Sequence, residues 1–151
     1  MKTNGNGTAD AEHFKKVLKD HDLKATPQRI AVHEAMTALV HASADMVLDY
    51  IRGHGDAGVT PSSVYNILSD LADIGLYGRR YSANSKMYFD CNSSRHLHLY
   101  DSDNHEFKDI ADDKLLDIID SHFKGRRFRG YSIDGVDIQI ICHPTRKKTK
   151  A

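Results

Sequence analysis

Apolar residues recur at three- and four-residue intervals through the first half of the chain, the period of helices with one buried face. Phe14, Val17, Leu18 and His21 predict a first helix over about 11–21, after a polar stretch, 1–10, read as a flexible tail. Thr26 followed by Pro27 is a helix start: a hydroxyl to cap the free N–H groups, then a residue with no N–H to leave unpaired. Ile30, His33, Met36 and Leu39 then face inward on a second helix. Ser43 opens a third, carrying Met46, Val47, Tyr50 and Ile51, which a glycine-rich break over 53–58 ends. The start signal repeats at Thr60-Pro61, and Gly75 is placed to close this fourth helix behind the stripe Val64, Ile67, Leu68, Leu71 and Ile74.

The period then shortens. Residues 77–81 and 86–89 read as two extended stretches joined by a turn at 82–85, and helices followed by a small hairpin make a winged helix. Leu97 and Leu99 mark another strand, with 105–110 as its hairpin partner. Leu115, Ile118, Ile119 and Phe123 space as a helix. Asp134-Gly135 signals a tight turn before a last strand of Val136, Ile138 and Ile140. The fold class expected is α+β, with a winged-helix domain over 11–89 and a small α/β domain over 90–151 that ends in a basic tail. About sixty residues make a thin core, so a homodimer through this second half is expected.

The outer face of the fourth helix changes the picture from architecture to partner. Ser62, Tyr65, Asn66 and Ser69 stand opposite the apolar stripe. A merely solvated helix carries more Lys and Glu there, whereas small hydrogen-bonding groups and an aromatic suit base edges in a major groove. Arg79, Arg80 and Lys86 put cations on the wing, where phosphates are met. Double-stranded DNA is therefore the expected partner.

Charge qualifies this. The 151 residues hold 21 basic and 21 acidic side chains, a balance unlike that of a protein that clings to nucleic acid constitutively. Acids crowd 101–120 and bases follow at Lys124, Arg126, Arg127 and Arg129, so a bound cation would find a suitable surface. The two cysteines, Cys91 and Cys142, form no C-x-x-C pair, which speaks against a disulfide framework and against a tetrathiolate zinc. No apolar run approaches a membrane span and the start lacks a secretion signal, so the expected location is the cytoplasm.

His96-Leu97-His98 carries the chemistry. On a strand, residues two apart share a face, so both imidazoles are offered together. Asp90 lies just before this strand and Asp109 on its hairpin partner. Imidazole nitrogens with carboxylate oxygens suit Fe(II), Mn(II), Zn(II) or Co(II). A metalloenzyme would use the same donors to activate water, but no separate nucleophile or general base stands out.

Read in order, Thr26-Pro27-Gln28-Arg29, His41-Ala42-Ser43-Ala44-Asp45, Ser63-Val64-Tyr65-Asn66-Ile67-Leu68, Gly75-Leu76 and His96-Leu97-His98 resemble the ferric uptake regulator family from about Phe14 to Cys142. The resemblance implies a dimeric, metal-dependent repressor with a DNA-binding and a dimerisation domain. It puts the sensory ligands on His41, Asp90, His96, His98 and Asp109, one divalent ion per subunit tying the two halves together. Iron is the ion implied first, with peroxide sensing through bound iron a further branch; zinc, manganese or haem responsiveness is the alternative. Tyr65 is the base-contacting residue implied. Where many members hold a structural zinc on two C-x-x-C pairs, this chain has Asp101, Asn104, Cys142 and Thr145, so that site is not expected. Arg95 and Leu97 stand where a further metal site of some members would want ligands. Asp101, Asp103 and His105 are the substitute to consider, and Cys142-His143-Pro144 the place for haem.

Overall fold

Two capped helices set the framework of the first half. The structure, a computed structural model, describes residues 6–55, 58–82, 84–91 and 96–146. Thr26 accepts from the Arg29 N–H at 3.2 Å and opens helix α2 (Pro27–Leu39). Thr60 accepts from the Ser63 N–H at 3.2 Å and opens α4 (Pro61–Asp73), while the Ser63 hydroxyl returns to the Thr60 N–H at 2.8 Å. Such a reciprocal box satisfies two N–H groups that the helix itself cannot. Ser43 caps α3 (Ala44–Gly53) by a single bond, accepting from the Met46 N–H at 3.4 Å.

The chain divides into two compact units, residues 1–80 with 87–92 and residues 81–86 with 93–151. In the first, α1 (Asn6–Asp20), α2, α3 and α4 surround a core of Phe14, Leu18, Met36, Val47, Leu68 and Leu71. Full burial of a side chain such as Leu68 is worth about 1.5–3 kcal/mol, and this cluster supplies most of the unit's apolar burial. A three-stranded sheet closes it, ordered β1 (His41–Ser43), β3 (Met87–Asp90), β2 (Gly78–Tyr81). The winged helix read from the sequence is this arrangement. Two differences stand out. Helix α1 begins at Asn6, so the expected tail over 1–10 is helical in its second half, and Asp10 is tied to α2 through His33. Strand β1 has no counterpart in the sequence pattern, because three residues are too few to show a period.

Val40 links α2 to β1 with φ 65° and ψ −55°, a conformation that a β-branched residue strongly resists. Its N–H is held by the Met36 carbonyl at 2.7 Å and its carbonyl by the Cys91 N–H at 3.1 Å. Those two bonds fix the strained link directly before His41, at a cost of about 1–3 kcal/mol.

In the second unit, β4 (Leu97–Asp101) is the centre of a three-stranded sheet, antiparallel to β5 (Glu106–Ile110) and parallel to β6 (Gln139–Cys142). Leu97, Tyr100, Phe107 and Leu116 are its buried apolar residues, the last from helix α5 (Asp113–Phe123). Ile118, expected on the inner face of α5, is exposed, and burial runs through Leu116 instead. The tight turn expected at Asp134-Gly135 does not form: Gly135 lacks the positive φ such a turn needs. The segment runs on without regular structure, and β6 starts at Gln139, beyond the expected Val136. Most of the expected basic tail, residues 147–151, lies outside the described residues, as do Arg95 and Ala83 of the wing turn.

Candidate metal centre

Antiparallel register creates the first group of ligand-type side chains. β1 pairs with β3 so that His41 stands opposite Asp90, and residues directly opposite share a face. His41 Nε2 lies 3.4 Å from Asp90 Oδ2. The Asp90 side chain is only 3% exposed, so its charge needs a partner. Arg80 supplies one: its Nη2 donates to the same Oδ2 at 3.2 Å, with the guanidinium itself buried.

A second group forms within the other unit by the same rule. β4 and β5 place His98 opposite Asp109, and His96, two residues before His98, falls on that face. His96 Nε2 and His98 Nε2 are 2.8 Å apart. Asp109 Oδ1 is 3.3 Å from the former and 3.5 Å from the latter. Two imidazole nitrogens and a carboxylate oxygen thus converge on one point, and His98 is nearly sealed from solvent at 2% exposure. The donor set fits a borderline divalent ion such as iron, manganese or zinc. Behind His98, the far ring nitrogen Nδ1 lies 3.3 Å from Asp137 Oδ1.

The residues expected to meet DNA fall on the first unit and its hairpin. Ser62, Tyr65 and Asn66 are exposed on α4, Tyr65 at 47%, and Ser69 is half-buried. Arg79 is exposed but engaged, donating from Nη2 to the Ser69 carbonyl at 2.8 Å and to Asp73 at 2.7 Å. Arg80 is drawn inward onto Asp90 rather than outward, and Lys86 is exposed.

The weaker candidates have other occupations. Asp101 accepts from the N–H groups of Asp103 and Asn104 at 2.9 and 3.1 Å and from the Asn104 side chain at 2.8 Å. These bonds, the Asn104 side chain first, hold its carboxyl below the usual range. It builds the β4–β5 turn, while His105 Nδ1 meets the Tyr100 hydroxyl at 2.7 Å. Cys142 donates weakly to the Tyr100 carbonyl at 3.5 Å. Among the described residues, no second group of candidate metal ligands forms at the turn.

Sequence reasoning misses three polar residues of consequence. It gives Asp137 no role, and it reads Arg80 only as a wing cation. The third is His33, read as an apolar-face residue: its ring stacks on Phe14 at 4.0 Å and its nitrogens meet Tyr77 and Asp10. The register pair His98↔Gln139 would have revealed Asp137, but a parallel pairing is not legible locally.

The model of the ferric uptake regulator family matches residues 20–139. The ferric uptake regulator of Vibrio cholerae superposes with a TM-score of 0.72 at 20% identity, covering 86% of this chain and 98% of that one. That of Helicobacter pylori, described with three functional metal binding sites, gives 0.71 at 18% identity over 99% and 100% of the two chains. The peroxide stress regulator of Campylobacter jejuni gives 0.65 at 24% identity over 87% and 96%. No curated protein matches the sequence.

Proposed function

The chain belongs to the ferric uptake regulator family, and on that premise we propose a homodimeric, metal-dependent repressor that binds a palindromic DNA operator. The family is one of transcription regulators, not enzymes. The reading rests on one observation above the others: His96, His98 and Asp109 present two nitrogens and an oxygen to a common point within one small sheet. His41 and Asp90 form a complementary pair on β1 and β3. All five would hold one divalent ion per subunit, iron first, with zinc or manganese as the alternative the same donors allow. The bound ion would supply positive charge that ties ligands from both units together. Peroxide sensing through such iron, and haem at Cys142-His143, are narrower branches of the same reading.

Ser62, Tyr65, Asn66 and Ser69 would face base edges, with Arg79, Arg80 and Lys86 on the wing as the backbone contacts. Arg79 and Arg80 would have to exchange existing partners for phosphates, Arg79 leaving Asp73 and the Ser69 carbonyl and Arg80 leaving Asp90. Dimerisation through the second unit is supported by apolar side chains left on its surface, Ile118, Tyr131, Ile140 and Ile141 among them. No helix among the described residues is long and apolar enough to cross a membrane.

The test is the metal content of protein purified without added ions, then binding to a palindromic operator duplex with each ion and with chelator. Chelation should lower affinity by at least tenfold, and His96→Ala or His98→Ala should do the same while the dimer persists in sizing. Binding indifferent to chelator would overturn the switch, and binding indifferent to Tyr65→Ala would overturn the recognition helix.

A further inference from the structure

We propose that Asp137 is a positioning residue: it holds the proton of His98 on Nδ1 and so keeps the Nε2 lone pair directed at the point His96 and Asp109 share. This rests on the metal-dependent reading above and adds to it a residue outside the ligand set. The geometry starts from register. β4 and β6 run parallel with His98 beside Gln139, and Asp137 lies two residues ahead of that pair, just before β6 begins. The His98 N–H donates to the Ile138 carbonyl at 2.9 Å, which fixes the backbone on either side of the contact. Asp137 Oδ1 then sits 3.3 Å from Nδ1.

A neutral imidazole carries one proton, and the partner of one nitrogen decides what the other can do. Two carboxylates flank this ring from opposite ends. Asp109 Oδ1 is 3.5 Å from Nε2 and Asp137 Oδ1 is 3.3 Å from Nδ1. If the proton sits on Nε2, donated to Asp109 or to His96 Nε2 at 2.8 Å, that nitrogen offers no lone pair. If Asp137 wins it, Nε2 keeps its lone pair and can act as a ligand. The ring cannot rotate away from the choice, since it is 2% exposed and stands edge-on to Phe107 at 6.1 Å. Asp137 is 48% exposed, so its contribution to the unit's stability is small and its effect is on the ring's tautomer. Outer partners of this kind change metal affinity by about 10- to 100-fold.

The experiment compares wild type, Asp137→Ala and Asp137→Asn in full-length protein, titrated with Mn2+ alone and examined by 15N NMR of the His98 ring without metal. Alanine should weaken Mn2+ binding by at least about tenfold. It should also move the His98 proton toward Nε2, with the far-UV circular dichroism unchanged. Asparagine, whose carbonyl can still accept from Nδ1, should restore most of both. Equal Mn2+ affinity in wild type and Asp137→Ala would overturn the proposal, as would an unchanged tautomer. Wild type that binds no Mn2+ would overturn the metal reading instead, and the tautomer measurement alone would then decide the role of Asp137.

Discussion

Removing the Tyr77 hydroxyl and the His33 imidazole together should cost the first unit far less than the two separate losses added. His33 is 8% exposed and Tyr77 4%, so neither finds water when its partner goes. Nε2 faces the Asp10 carboxylate at 3.1 Å, which accepts and cannot donate, so the ring proton belongs there. Nδ1 is then the acceptor for the Tyr77 O–H at 2.7 Å, and burial raises the Tyr77 pKa, keeping that proton in place. Tyr77→Phe strands a buried nitrogen, at about 1–3 kcal/mol. His33→Leu strands a buried hydroxyl at a similar cost and also forfeits the stack on Phe14. The double variant strands nothing between the two positions, so a coupling of about 1 kcal/mol or more is expected. Urea unfolding at pH 8, followed by far-UV circular dichroism, measures all four corners of the cycle. Additive losses would refute the assignment. The same cluster sets a pH signature. Burial, the dominant cause, lowers the His33 pKa below 6.5 despite Asp10. The unfolded chain therefore binds the proton more readily, and stability present above pH 6.5 is lost as pH falls toward the folded value. His33→Leu should remove that slope.

Three further outcomes follow from contacts already described. Arg80→Met leaves the Asp90 carboxylate buried without its guanidinium and should destabilise by on the order of 3 kcal/mol in the same assay. Arg79→Met breaks a pair whose members are 35% and 65% exposed and should cost under about 1 kcal/mol; equal losses would contradict this ordering. Thr60→Ala removes the α4 cap and should cost about 1 kcal/mol, whereas an unchanged urea midpoint would show the box to be dispensable.

Helices were legible because their signals are local. Thr26-Pro27 and Thr60-Pro61 announce a cap and a first turn within two residues, and both caps form. The His96, His98 and Asp109 group was half legible: a period of two aligns the histidines, but only the hairpin register chooses Asp109. His41 and Asp90 lie far apart in sequence, joined by a three-residue strand, and no local pattern announces such a pairing; nearness to the two histidines suggests Asp90, and family resemblance alone points to His41. The last strand failed for a related reason. Asp-Gly favours a hairpin turn, yet the parallel neighbour β4 dictates where β6 begins, and Gly135 spends none of its freedom on a turn. Arg80 illustrates the limit for charges: sequence shows that a cation is on the wing, not that a buried carboxylate will claim it.

Val40 gives the molecule an awkward evolutionary position. A glycine there would adopt φ 65° without resistance, so a single substitution could raise stability. The same change would loosen the link that delivers His41 to Asp90. A sturdier fold and a well-aimed imidazole therefore make opposite demands on this one residue.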